Sequence, residues 1–415
     1  MNFKSESTRD GVAPRVALSL LACCAALALL CAPAPAQRRA GRRAAAGPRA
    51  EAASPEFKRL SAEANAAREA GRLEEAAELY RRALRERPRW DEGWWYLATL
   101  LYDRDRYAEA AEAFAQVAQL QPKVGGPFAM LALCEFQLGR YDESFRHLQQ
   151  ARRLGIVENP ELVRVLRYHE SLLLLLRGDF EIAQQNLDAM AFEGVESEGL
   201  VVALGLAVLR IPSLPSQLTP ASPDYQLVRR AGWAALQSAR RNTAEAQREF
   251  ERLAADFPKS PNVHYAHGRY LLAHRDDEGA LAAFQRELEN SPSSAMARVQ
   301  IAYIRLKNKE AAAGLPYAEE AVRLYPRAPM GHYLLGRILF DLGENARAIQ
   351  ELETARQLAP DEPKVHFALS RAYAKANRKS DAERARETFL QLNRKLDEAS
   401  AQNKTAAGAG EGDEP

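Results

Sequence analysis

Apolar residues along this chain recur on two superposed scales. At short range they fall three or four apart, the spacing of amphipathic helices, as in Trp94, Leu97, Ala98 and Leu101, then Ala110, Phe114 and Val117. At long range the same set returns every 34 residues. It is present as Phe57, Ala64, Ala76, Tyr80, Ala83 and Pro88, and again from Gly125 as Leu131, Ala132, Leu148 and Ala151. A five-residue slip (159–163) precedes a weaker fourth unit from Arg164, with Leu174, Gly178, Ala183 and Leu187 but no closing proline. The phase then breaks and resumes at Leu227, and five units run from there to Leu396 without another slip.

Each unit predicts two helices of about 12 to 14 residues and a tight turn, since a fixed period of this length marks a repeated helix pair. Small residues (Ala98, Ala110, Gly268, Gly336) let the two helices approach, and Pro88, Pro122, Pro258, Pro292, Pro326 and Pro360 stop the second helix. Gly71, Gly139, Gly178 and Gly343 fall at the turn, where a left-handed conformation suits glycine. No unit buries its apolar face alone, so stacking has to supply the core.

The motif Trp94-x2-Leu97-Ala98-x2-Leu101, Ala110-x3-Phe114, Pro122, at this period, resembles the tetratricopeptide repeat (TPR) family over nearly all of 57–396. The resemblance implies an all-α, right-handed superhelical α-solenoid of about nine helix-turn-helix units in two arrays, which holds other proteins and does not catalyse. The expected layout is a signal peptide (1–36), an Ala/Arg-rich unstructured linker (37–56) and a first array of four units (57–197). A connecting helix and Pro-rich linker (198–226), a second array of five units (227–396) and an unstructured tail (397–415) follow.

The start of the chain changes the expected location. Basic residues Lys4, Arg9 and Arg15, an apolar run from Val16 to Cys31 and Ala34-Pro35-Ala36 read as a secretory signal cleaved after Ala36. The protein is therefore expected to be periplasmic or secreted. Leu20-Leu21-Ala22-Cys23 also looks like a lipobox, so an outer-membrane lipoprotein acylated at Cys23 is an alternative, and an uncleaved anchor a third. The apolar run is short against the roughly 20 residues of a membrane span.

Charge narrows the partners. With 57 Lys plus Arg against 55 Asp plus Glu, the chain has no global field of the kind a nucleic-acid binder carries. Enzyme signatures (Gly-x-Ser-x-Gly, Gly-x4-Gly-Lys-Ser/Thr, His-Glu-x2-His, paired Cys-x2-Cys) are missing from the sequence, so no catalysis, cofactor or metal is expected. Signal cleavage leaves Cys134 as the one cysteine, and its place in a first helix suggests a core residue. His264, His332 and His366 share one repeat position. Neighbouring repeats set them about 8–10 Å apart, too far for one metal ion, so they read as structural together with His267.

A second pattern rides on the first. Tyr265 and Arg269, Tyr333 and Arg337, and Phe367 and Arg371 occupy unit positions five and nine, four apart and so on one helix face. Val299 and Tyr303 stand there in the seventh unit. In the family these positions point into the concave groove, where arginine and aromatic side chains suit an extended peptide with acidic groups. The competing reading is that the arginines brace the stack by pairing with neighbouring acids. The first array offers a more apolar surface with Trp95 and Tyr102. Family members that clamp a partner's terminal carboxylate use Lys, Asn and Arg at fixed positions. Here Ser61, Asn65, Tyr96, Gly126 and Met130 stand there, and Asn65 alone fits. The expectation is thus a monomeric envelope scaffold binding protein or peptide in its groove, with a role in assembling an envelope or secretion complex. Alternatives are the lipoprotein scaffold, with membrane contact only through a lipid or the N-terminal segment, and a binder of cell-wall glycan.

Overall fold

The computed structural model describes residues 54–156 and 159–408. The expected signal peptide, Cys23, and the linker as far as residue 53 lie outside the described residues, as do residues 409–415 of the tail. The described residues hold nineteen α-helices, one short 3-10 turn and no strand. They form two compact units that divide between Arg241 and Asn242.

The first unit contains α1 (Pro55–Glu69), α2 (Leu73–Glu86), α3 (Asp91–Tyr102), α4 (Tyr107–Leu120), α5 (Gly125–Gln137) and α6 (Tyr141–Leu154). It continues with α7 (Pro160–Arg177), α8 (Phe180–Phe192), α9 (Glu198–Val208) and α10 (Tyr225–Ala239). The second unit contains α11 (Thr243–Asp256), α12 (Val263–Ala273), α13 (Asp277–Asn290), α14 (Ala295–Lys307) and α15 (Ala311–Leu324). Its last helices are α16 (Pro329–Asp341), α17 (Asn345–Leu358), α18 (Pro363–Lys375) and α19 (Lys379–Gly408).

Within each unit, successive helices pair as hairpins whose contact is made by small residues. Ala64, Ala76, Ala98, Ala110 and Ala302 are fully buried. A Cβ on Gly268 would stand 2.7 Å from the Phe284 ring, and one on Gly336 2.6 Å from Leu352 Cγ. The six repeat prolines lie two residues past the ends of α2, α4, α11, α13, α15 and α17. Four of their carbonyls also latch the next unit. Trp94 Nε1 donates to Pro88 O (2.8 Å), and the Nε2 atoms of His264, His332 and His366 bond Pro258 O, Pro326 O and Pro360 O (2.9, 2.9 and 2.6 Å). A carbonyl can only accept, so each of these Nε2 atoms carries the proton. The shared histidine position is therefore a structural one.

One residue with positive φ sits between the helices of every unit: Gly71, Asp105, Gly139, Gly178, Arg241, Arg275, Lys309, Gly343 and Asn377. Their 34-residue spacing is broken by the five-residue slip before Gly178 and again between Gly178 and Arg241, as the phase of the apolar pattern is. Glycine was the signal in four of these turns, and in the other five a side chain is held in the left-handed region by the turn itself.

Two features of the layout go beyond the expectation. The helix α10, the first helix of the expected second array, lies in the first compact unit, where it packs on α9. The cause is a close crossing. A Cβ on Gly205 would lie 1.9 Å from Val228 O, and one on Gly232 1.8 Å from Val201 O, so the two backbones touch through glycine. Leu200 to Leu209 are buried around that crossing, which makes α9 a core helix. The Pro-rich stretch after it contains the short 3-10 turn Pro215–Gln217. The tail also differs, because α19 runs to Gly408 where an unstructured segment was expected from 397. Ala, Gln, Lys and Glu dominate 397–407, and neither Gly nor Pro interrupts them.

Two opposite glycine effects are expected in denaturant unfolding followed by circular dichroism. Gly205→Ala should destabilise by about 3 kcal/mol or more, since the added carbon meets backbone that cannot yield. Lys309→Gly should stabilise by about 0.5–1 kcal/mol by releasing the left-handed lysine.

Candidate functional site

The first helices of the second unit bring part of the predicted side-chain pattern together. On α16, Arg337 Nη1 donates to the Tyr333 hydroxyl (3.0 Å). From α18, Lys364 Nζ stands over the Tyr333 ring at 5.7 Å, and the Arg371 guanidinium lies over Phe340 at 5.0 Å. Phe367 is 44% exposed, with its ring 5.2 Å from Phe389 of α19, and on α14 Tyr303 is 43% exposed. Met330, at the start of α16, adds an exposed apolar side chain. The result is a strip of rings and cations along α14, α16 and α18. Lys364, Phe340 and Met330 were missed by the sequence reading. They occupy unit positions two and twelve, which repeat on the same helix face.

The arginines of this strip are not tied down by neighbouring acids. Among the described residues neither Arg337 nor Arg371 pairs with a carboxylate, and both rest on rings. Bracing is done elsewhere, mainly by second helices: Arg347 bonds Glu319 and Glu344, both at 2.7 Å, and Arg81 bonds Glu109 at 3.1 Å. A guanidinium over a ring keeps its edge donors for another acceptor, so the strip is suited to carboxylates. Lys364 is also close to Glu362 (3.6 Å), with both side chains substantially exposed, so screening makes that pair weak.

One member does not belong. Tyr265 is only 2% exposed, and its ring packs 5.7 Å from Phe284 in a cluster with Ile301 and Ile304. It is a core residue and presents no ring to a ligand. Arg269, on the same helix, is half-buried and engaged within the protein. Sequence position predicted the face of α12 correctly, but not that bulky neighbours would close over it.

In the first unit, Trp95 and Tyr102 share α3. The Trp95 ring meets Phe114 edge-on at 5.3 Å, and Tyr102 meets Tyr107 at 5.4 Å. Both are half-buried, and burial pushes the Tyr102 hydroxyl well above the usual tyrosine range. Asn65 accepts from Tyr80 (2.6 Å), so the one residue matching the carboxylate clamp is already used in packing.

The remaining candidates for chemistry are structural. Cys134 is fully buried, and burial, followed by the charge of Glu135, pushes its thiol up to about 12. His267 stacks on Phe250, and burial lowers its affinity for a proton. Among the described residues no three His, Cys, Asp or Glu side chains converge as metal ligands, and no described helix is long and apolar enough to cross a membrane.

Stacked helix hairpins latched at a 34-residue period define a helical-repeat solenoid. Tetratricopeptide repeat models match residues 61–124, 230–295 and 299–363, and a further one matches 339–407. These matches cover more than half of the chain, which therefore belongs to the tetratricopeptide repeat family and is a protein-interaction scaffold in the family's manner. Similar solved structures include MamA from Desulfovibrio magneticus RS-1, at 25% identity over 41% of this chain and 94% of that one, with a TM-score of 0.36. A double mutant of MamA RS-1 is 23% identical over 42% and 97%, with a TM-score of 0.39. YrrB, described as a TPR protein with an unusual peptide-binding site, is 15% identical over 43% and 92%, with a TM-score of 0.36. No curated protein matches the chain.

The burial of Cys134 is directly testable. Iodoacetamide at pH 8 should leave the native thiol unmodified for hours and alkylate it within minutes in denaturant, as read by intact mass.

Proposed function

We propose that this protein is a non-catalytic scaffold of the bacterial cell envelope that holds an extended, acid-bearing polypeptide along α14, α16 and α18. The observation that carries the reading is the strip of Tyr303, Tyr333, Arg337, Phe340, Lys364, Phe367 and Arg371, whose two guanidinium groups rest on rings without a carboxylate partner. Rings provide stiff apolar contact at low entropic cost, and the guanidinium edges take carboxylates by paired hydrogen bonds. Assembly of an envelope or secretion complex fits such a groove.

The strip makes a specific demand. The chain from Gln37 onward should bind an extended peptide alternating Glu with Phe or Leu at least tenfold more tightly than its Lys-for-Glu counterpart, by fluorescence anisotropy. Affinity should weaken from 50 to 300 mM salt. Arg337→Ala, Lys364→Ala and Arg371→Ala together should abolish the preference, a loss of at least 1.4 kcal/mol, while helical content and Tm stay close to wild type. Equal binding of both peptides, or unfolding of the triple variant, would show that the strip serves the fold.

Export rests on the N-terminal sequence, and mass spectrometry of the protein from its native envelope decides it. Gln37 as the first residue marks cleavage after Ala36, whereas an acylated Cys23 marks the lipoprotein.

A further inference from the structure

A second surface, in the first unit and independent of the strip, has a different chemistry. A trough of about 450 Å3 opens between α4, α5 and α6, within the range of about 300–1,000 Å3 usual for ligand sites. One wall is α4, which presents Ala108, Ala111, Ala115 and Ala118. The equivalent positions on other second helices include Leu84, Phe145, Leu288, Val322 and Ile349, so α4 is the helix whose face has been cut back. Phe128 and Leu131 of α5 supply apolar surface, and Arg140 and the exposed Glu112 also line the trough.

The residue that gives this space a chemistry is Glu135. It lines the trough, is 6% exposed, and stands at the eleventh position of its unit. Six other units place Ala67, Leu101, Leu174, Leu271, Leu339 and Tyr373 there, while Gln237 and Arg305 fill the remaining two. A carboxylate at a core position costs several kcal/mol unless it is fully partnered. Glu135 Oε2 is bonded to His147 Nδ1 (2.7 Å), but Oε1 accepts no hydrogen bond from the described residues. Two other buried carboxylates are provided for. The Glu287 oxygens accept the backbone N–H groups of Asn262 (2.9 Å) and Tyr265 (3.2 Å), and Glu170 meets Gln149 (2.8 Å) and Arg152 (3.3 Å).

We infer that the trough is a binding site for a lysine or arginine side chain of a polypeptide partner, with its methylene stem against the alanine wall and its charged end donating to Glu135 Oε1. Glu112 adds negative charge, and three turns of small residues on α4 let a partner backbone lie close. The scaffold then carries two sites of opposite preference, cation-taking on the first unit and carboxylate-taking on the second.

The test uses the chain from Gln37 onward and four labelled dodecapeptides, identical except for a central Arg, Lys, norleucine or Glu in a Leu/Ala context. Fluorescence anisotropy should rank Arg and Lys at least tenfold above norleucine, which keeps the stem and lacks the charge, and above Glu, which probes Arg140. Glu135→Gln should erase that preference, and Ala111→Leu, which fills the trough, should remove binding. Glu135→Leu should do the same while raising Tm by a few degrees, because it restores the leucine that other units carry. Binding of none of the peptides, equal binding of norleucine and Lys, preference for Glu, or a lower Tm for Glu135→Leu would each overturn the assignment. The last outcome would make the Glu135–His147 pair a structural one. All of these titrations are made on the chain that also carries Arg337→Ala, Lys364→Ala and Arg371→Ala, so that the strip on the second unit takes no part in the ranking.

Discussion

The structure depends on how closely two helices can approach. Each hairpin meets where one residue is too small to hold its partner away, at Ala64, Ala98 or Ala302, or at Gly268 and Gly336, where a methyl group would already collide. Close approach lets Phe114, Phe284 and Leu352 of the second helices sink until they are almost fully buried. Stability then accrues through nearest neighbours, because no unit carries its own core. The same constraint at its limit produces the α9–α10 crossing, where backbone meets backbone through Gly205 and Gly232.

That dependence on neighbours explains how much could be read in advance. Helix positions, the stopping prolines and the phase follow from the period, since each is a local property repeated in register. What local pattern does not contain is the identity of the neighbour. Gly205 and Gly232 mark where two helices touch, but not which helices, so the packing of α10 on α9 was not foreseen. Tyr265 obeys the same positional rule as Tyr333 and Phe367, yet the surroundings of Phe284, Ile301 and Ile304 bury it. The five left-handed turns without glycine were invisible as residue types and visible only as phase.

The candidate site was legible to a similar degree. Tyr333, Arg337, Phe367 and Arg371 were found because four-residue spacing puts them on one face. Whether the arginines bind or brace is not a property of spacing. It turns on whether a carboxylate from another helix reaches them, and at Arg337 and Arg371 none does among the described residues. Glu135 was passed over for the opposite reason: an isolated acid in an apolar helix has no pattern, and its oddity emerges only when the eleventh residues of all nine units are set side by side.

The latch between an indole or imidazole N–H and a proline carbonyl joins residues six apart, and each left-handed turn joins two adjacent helices. Every such bond is closed within one period. A gene duplication or deletion of whole 34-codon segments therefore keeps the spacing on which latches and turns depend, whereas a partial one shifts it. The five extra residues at 159–163 supply the N-cap and first turn of α7, which runs to 18 residues, so length can drift at a helix start without breaking a hairpin. Lineages carrying this architecture are thus free to vary in reach by whole units, so array length can evolve separately from the surface that any one unit presents.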